Sequence, residues 1–158
     1  MRHRYINPVN KGPRVTSRGI VIHDGSMLLM ERRRDGMHYF SIPGGGVDGD
    51  EKPEDVVVRE LYEEASVKVN PKQLLYDVTD LVDGHRHFIY LCEYISGTPV
   101  LHPESEEANS GPNQLFQPGW VPIASLESLS FLYWEPIMEL LLKDLESGFS
   151  KQVKITSF

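Results

Sequence analysis

One stretch, Gly45 to Val67, constrains this chain more than any other: it sets a glycine-rich turn a fixed distance ahead of a segment carrying its acids at helical spacing. Pro53 suits the first turn of a helix, where its missing N–H removes no bond. Val56, Val57, Leu61 and Ala65 supply an apolar stripe behind it, and the pattern predicts a helix from Pro53 to Ala65. Glu60, Glu63 and Glu64 then share a narrow sector, since residues three and four apart are helical neighbours. Such a patch works against stability. Like charges at these spacings each cost roughly 0.2–0.5 kcal/mol, and acids near a helix C-terminus also face the negative end of the macrodipole. Arg59, four residues before Glu63, offsets part of this. A charge run by itself is ordinarily a solvated face, and a glycine cluster by itself is ordinarily a turn. Here Pro43-Gly44-Gly45-Gly46 precedes the acids at a fixed distance, and consecutive glycines bring the backbone close to a ligand. Clustered carboxylates are also what a hard cation such as Mg2+ requires of its oxygen ligands. The reading is a metal-diphosphate site, with Gly45 and Gly46 facing the substrate.

Written out, the stretch is Gly45, five residues, Glu51, seven residues, Arg59-Glu60-Leu61, one residue, and Glu63-Glu64-Ala65-Ser66-Val67. It resembles the Nudix box, the signature of pyrophosphate-cleaving hydrolases, and departs from it only where Ser66 stands in place of glycine. Six identities at roughly 1 in 15 each recur by chance at about one starting point in ten million. The resemblance implies an α/β/α sandwich around a mixed β-sheet and a Mg2+-dependent hydrolase, with Mn2+ as a substitute ion. It implies the carbonyl of Gly44 and the carboxylates of Glu60, Glu63 and Glu64 as metal ligands, with Glu51 and Arg59 orienting them. Catalysis is assigned to Glu51, Arg59, Glu63 and Glu64. Similar enzymes draw a further ligand or general base from a later loop, where Glu104, Glu106 and Glu107 lie, and Glu107 is the candidate carried forward. Two smaller departures sit ahead of the helix: Asp50 and Lys52 flank Glu51, where the family often has glycine and threonine. Lysine caps poorly, so Asp50 is the expected cap. A side chain at position 66 is expected in a mildly strained, left-handed conformation.

The remainder bounds the partners. At 158 residues and 40% apolar content, one domain over 1–158 is expected, with residues 1–13 as a mobile N-terminal arm. A net charge of −7 argues against duplex nucleic acid as the main partner. Cys92 is the only cysteine, so no disulfide framework exists, and its apolar setting favours an inert thiol over a nucleophile. No apolar run reaches membrane-spanning length and the N-terminus lacks a secretion signal. A cytoplasmic protein with no membrane partner is expected, its oligomeric state open and a homodimer included.

Strands are expected over 14–23 and 27–32, joined at Asp24-Gly25, then over 39–42, and as a second hairpin over 74–82 and 86–95 around Asp83-Gly84. Residues 102–118 form a long polar loop, Trp120-Val121 a last strand, and Trp134 to Leu145 an amphipathic closing helix. Val153 to Phe158 reads equally as strand or tail. Arg32, Arg33 and Arg34 end the second strand, and Arg32 and Arg33 are candidates for substrate phosphates, because arginine binds phosphate at two points; a solvated strand end is the equal alternative. His85 and His87 at strand spacing could be metal ligands, although an oxygen-donor site does not need them. Phe116, Trp120, Phe131, Tyr133 and Trp134 are base-stacking candidates that core packing explains more readily. The substrate expected is a nucleoside diphosphate linked to another group, with a nucleoside triphosphate, oxidised or not, favoured over ADP-ribose, other nucleotide sugars and dinucleoside polyphosphates. The alternative from another class is a module that senses a nucleotide without cleaving it.

Overall fold

Neighbouring apolar residues along strand β1 (Val15–His23) face opposite ways: Ile20 joins one core with Met27, Leu29, Tyr76 and Ile89, whereas Val21 joins another with Leu28, Tyr90 and Cys92. A strand apolar on both sides belongs to a sheet covered on both faces. In the computed structural model, which describes residues 13–101 and 114–158, helices provide the covers. Helix α1 (Pro53–Ala65) packs one face through Val57, Leu61 and Ala65, and α2 (Glu135–Ser147) packs the other through Ile137, Met138 and Leu141. The α/β/α sandwich expected from the sequence is the architecture found. Gly19 lets α1 come close, since a Cβ there would stand 3.0 Å from both Leu61 and Val57.

The other strands are β2 (Ser26–Arg34), β3 (Met37–Ser41), β4 (Gly44–Gly46), β5 (Lys68–Thr79), β6 (Arg86–Ser96), β7 (Leu115–Pro122) and β8 (Lys154–Ser157). They follow the order β3-β2-β1-β6-β5-β8, with β4 beside β1 and β7 beside β2. The pairs β1·β6 and β5·β8 are parallel and the rest antiparallel, so the sheet is mixed. One detail of register positions everything that follows. β1 and β2 pair only at their hairpin end, Ile22 with Met27 and His23 with Ser26. Beyond that they part, and the three glycines of β4 take the place beside Thr16, Ser17 and Arg18. A cleft opens where the strands separate.

The structure corrects several boundaries. β5 begins at Lys68, directly after α1, and carries Pro71 within it. A proline is tolerated there because β8 pairs only with Tyr76–Thr79, leaving the Pro71 segment on the sheet edge beside a register shift. The turn to β6 is wider than a two-residue hairpin. Asp80 N–H donates to the His85 carbonyl at 2.8 Å, Val82 N–H donates to the Asp80 side chain at 2.9 Å, and His85 N–H donates to the Asp83 side chain at 2.9 Å. Side-chain caps of this kind hold a longer turn open. β7 starts at Leu115, inside the stretch expected to be loop, and carries Pro118 and Pro122 on a strand paired only with β2 among the described residues. The last residues form a strand, β8, beside β5. Residues 1–12 and 102–113 lie outside the described residues, and with them most of the expected arm and loop.

Candidate active site

Two hydrogen bonds to backbone carbonyls bring the glycine turn and α1 together. Gly19 N–H donates to the Pro43 carbonyl at 3.0 Å, and the buried Ser17 hydroxyl donates to the Pro53 carbonyl at 2.6 Å. Both run from β1, so the strand fixes the loop and the start of the helix against each other. The expected Asp50 cap is not made. Lys52 occupies the cap position with no side-chain bond, and Pro53 leaves one fewer N–H to satisfy at that end. Glu54 and Asp55 in the first turn complement the helix dipole instead. At the far end Ser66 has φ 58°, the left-handed conformation expected, and its N–H bonds the Tyr62 carbonyl at 2.9 Å.

A cavity of about 780 Å3 occupies the cleft where β1 and β2 part. Glu60, Glu63 and Glu64 line it together with Gly44, Gly45 and Gly46. Gly44 N–H donates to Glu64 Oε2 at 3.2 Å. A Cβ at Gly45 would overlap the Glu60 carboxylate, so only glycine permits that approach. Arg59 sits among the acids. It meets Glu51 through both Nε (3.2 Å) and Nη2 (3.1 Å), and reaches Glu60 at 3.0 Å and Glu63 at 3.4 Å through Nη1. Desolvation works against its charge, yet the charges of Glu60, Glu51 and Glu63 hold its pKa above the ordinary value. Glu51 is thereby a support outside the cavity lining, also accepting from Asp48 N–H at 3.2 Å.

The chemistry of the donor set suits a hard cation, being carboxylates beside the glycine backbone. Among the described residues, no three His, Cys, Asp or Glu side chains stand close enough together to coordinate one ion as they are arranged. Arg59 engages Glu60 and Glu63 on this wall, neutralising charge that an ion would otherwise meet.

The arginines of β2 divide. Arg32 lines the cavity, its guanidinium carbon 4.7 Å from the Phe116 ring centre and 5.8 Å from that of Tyr39. Arg33 is exposed and does not line it, because successive strand residues point to opposite faces. Arg33, expected beside it as a substrate contact, thus lies outside the cavity lining. The rings of His85 and His87 lie 6.4 Å apart and engage different partners. His85 lies in the turn 3.4 Å from Asp83, while the buried His87 has Nδ1 2.6 Å from the Thr16 hydroxyl and its ring 4.8 Å from Trp134. Of the aromatics, Phe116 lines the cavity, Phe131 is in the core, Trp120 packs 5.5 Å from Tyr94, and Trp134 lies over Arg18. Glu104, Glu106 and Glu107, and the side chain of Tyr133, lie outside the described residues.

Sequence reading missed Arg14, Thr16 and Arg18, which also line the cavity. Arg18 interrupts an otherwise apolar strand, which was the available signal. Its Nη1 donates to the Ile42 carbonyl at 2.9 Å and its guanidinium carbon lies 5.1 Å from the Trp134 ring centre. Desolvation pushes its pKa down to about 10; Glu64 raises it in part, and Arg32 and Arg14 lower it further.

The fold and this box-bearing cavity are those of the NUDIX domain, whose model matches residues 13–145, and the chain belongs to that family. An RNA pyrophosphohydrolase of Shewanella sediminis is 42% identical over 57 residues, 36% of this chain and 33% of that protein. The chain thus spans about a third of the length of the curated relatives it matches. Among solved structures, a NUDIX hydrolase from Nitrosomonas europaea superposes with a TM-score of 0.71 at 14% identity, covering 94% of this chain and 80% of that one. An ADP-ribose pyrophosphatase from Streptococcus suis gives 0.64 at 23% identity, covering 92% and 99%. At these identities the structural likenesses speak to the fold. Among the described residues no helix is long and apolar enough to cross a membrane.

Proposed function

We propose that this protein is a Mg2+-dependent pyrophosphohydrolase acting on a nucleoside diphosphate linked to another group, with nucleoside triphosphates as its first candidates. The observation that carries the reading is the convergence of Glu60, Glu63 and Glu64 with Gly44 on one cavity wall. Gly44, Glu60, Glu63 and Glu64 are the residues that would hold the ion, which when bound supplies charge neutralisation at the diphosphate and a more acidic water. The protein's own part is positioning. Arg59 and Glu51 hold the acidic wall in shape, and the glycines of β4 let the Glu60 carboxylate and the Arg14 guanidinium come close to the backbone. A box carboxylate, or Glu107, takes the proton from the attacking water. The electrostatic term dominates, because phosphoryl transfer leaves the enzyme little covalent chemistry to perform. An RNA 5′-triphosphate end is a second form of the same substrate chemistry, favoured by the match to a protein named RNA pyrophosphohydrolase; ADP-ribose is the diphosphate competitor.

Incubation with a panel of nucleoside triphosphates, nucleotide sugars, dinucleoside polyphosphates and a 5′-triphosphorylated oligoribonucleotide, with Mg2+ or with EDTA, should give Mg2+-dependent cleavage resolved by chromatography. Glu60→Gln, Glu63→Gln and Glu64→Gln should each lower turnover by orders of magnitude while the fold survives, since each substitution also removes like-charge repulsion. Near-wild-type turnover in all three variants would sink the assignment. Binding without cleavage across the panel would favour the nucleotide-sensing module.

A further inference from the structure

The outermost strands of a sheet present rows of unpaired N–H and C=O groups, which folds blunt with prolines, covers or outward-pointing lysines. Two edges here are blunted in that way. β7 carries Pro118 and Pro122, and on β3 the Phe40 N–H donates to the Ser130 carbonyl at 2.8 Å. β8 has no such defence among the described residues. It ends the sheet order with β5 as its one strand neighbour, it lacks proline, and its single lysine, Lys154, is drawn onto the buried Asp144 of α2 at 2.6 Å. The strand is held firmly in place. Phe158 N–H donates to the Thr79 carbonyl at 3.1 Å, and Leu81 N–H donates to the Phe158 carbonyl at 2.7 Å. Since both backbone groups of Phe158 point at β5, alternation turns those of Ile155 and Ser157 outward. Ile155 is also 81% exposed. Beside this edge runs a groove of about 230 Å3 between β8 and α2. Its helix side carries Ile137 and Leu140 together with Glu139 and Lys143, both exposed and neither in an ion pair among the described residues.

We infer that this face is the contact between two copies of the chain, related by a two-fold axis at Ile155, with β8 pairing antiparallel to its equivalent and the two sheets made continuous. An open strand edge is its own complement under a two-fold. Directly opposed residues of an antiparallel pair share a face of the sheet, so Ile155 falls against Ile155 or Ser157 of the partner subunit. The first register brings two apolar side chains together and exchanges both outward backbone bonds of Ile155. Lys154 then lies opposite Thr156 of the partner subunit, and no like charges meet along the strand. The helices select a second copy over an unrelated strand. Glu139 and Lys143 stand four residues apart on α2, and the two-fold, by reversing the helix, sets Glu139 of each copy toward Lys143 of the other across the groove. The inference stands apart from the hydrolase reading.

Sedimentation velocity of the full chain, from micromolar to submillimolar concentration, should show a monomer–dimer equilibrium. Ile155→Lys sets two like charges on the axis at a position already open to solvent, and should raise the dimer Kd at least about tenfold with the melting temperature kept. Glu139→Lys and Lys143→Glu should each raise it about fivefold, and the double exchange, which restores opposite charges across the axis, should return it to within about twofold of the wild type. Ile155→Cys should form a disulfide-linked dimer on mild oxidation, because opposed residues of a hydrogen-bonded pair stand about 5.5 Å apart at Cα. Ser157→Cys, two residues off the axis, should not, and the native Cys92 is buried away from the edge. A monomer at every concentration, a dimer indifferent to Ile155→Lys, no recovery in the double exchange, or crosslinking without preference for position 155 overturns the inference.

Discussion

Gly45 shows how much a single position carries in this cavity. Its missing side chain is the space that the Glu60 carboxylate fills, so Gly45→Ala should push Glu60 off the wall and lower Mg2+-dependent turnover at least about tenfold, with a smaller loss of melting temperature. Gly119→Ala, where a Cβ meets nothing within 4 Å, should leave both unchanged; equal effects would mean that the Gly45 contact does not position Glu60. The residues of the acidic wall were legible because helical periodicity is local. Once Pro53 and the apolar stripe specify α1, the side on which Glu60, Glu63 and Glu64 fall follows from spacing alone. Arg14 and Arg18 were not legible on the same terms. Arg18 and Arg32 meet only because β1 and β2 part after Met27, and a strand residue takes its meaning from partners that sequence spacing does not name. The contrast between Arg32 and Arg33, adjacent in sequence and opposite in placement, comes down to the phase of one strand against its neighbours.

At the scale of elements, α1 ends where Ser66 stands in place of the glycine of the family's pattern. Ser66 adopts φ 58° and ψ 27°, and its hydroxyl donates to the Val100 carbonyl at 3.1 Å from an exposed position. A left-handed side-chain residue costs roughly 1 kcal/mol that glycine avoids, less the entropy glycine adds to the unfolded chain and the exposed hydrogen bond it loses. Ser66→Gly should therefore raise stability by up to about 1 kcal/mol in urea melts, while Ser66→Val, branched at Cβ, should lower it. A lower midpoint for the glycine variant would show that the hydroxyl bond outweighs backbone strain. Helix α1 was readable to its terminal residues, since proline at the start and the end of the apolar stripe both mark boundaries. β5 and β7 run further than expected from the sequence, and each carries a proline in the added part. Pro71 and Pro118 look like strand breakers in sequence, but among the described residues both lie at sheet edges, where no neighbour asks for the N–H they lack. Whether a strand is an edge is decided by the whole sheet.

For the whole molecule, both cores contain acids that burial keeps protonated, and this sets how the fold should respond to alkali. Burial raises the Cys92 thiol to about 12 from its ordinary 9. The Tyr90 hydroxyl is also pushed to about 12, by burial first and then by Glu54, and Tyr76 is raised by burial and by its 2.6 Å bond to Asp144. Cys92 and Tyr90 pack under α1, and Tyr76 packs under α2, where Asp144 also accepts from Lys154 of β8 at 2.6 Å. For each group the folded pKa lies above the unfolded one. Its contribution is therefore fully present below the unfolded value and is lost as pH rises toward the folded value, by about 1.4 kcal/mol per pH unit per group. The window opens near pH 9 with Cys92 and steepens near pH 10 as the two tyrosines join. Urea midpoints measured from about pH 8 to 10.5 should accordingly fall slowly and then sharply. Cys92→Ala should begin less stable by roughly 1 kcal/mol, from the small cavity it leaves, and should lose less between pH 9 and 10 than the wild type does. A parallel decline in the two proteins would show that the thiol ionises as readily in the folded chain as in the unfolded one, and that the face under α1 is open to solvent at Cys92.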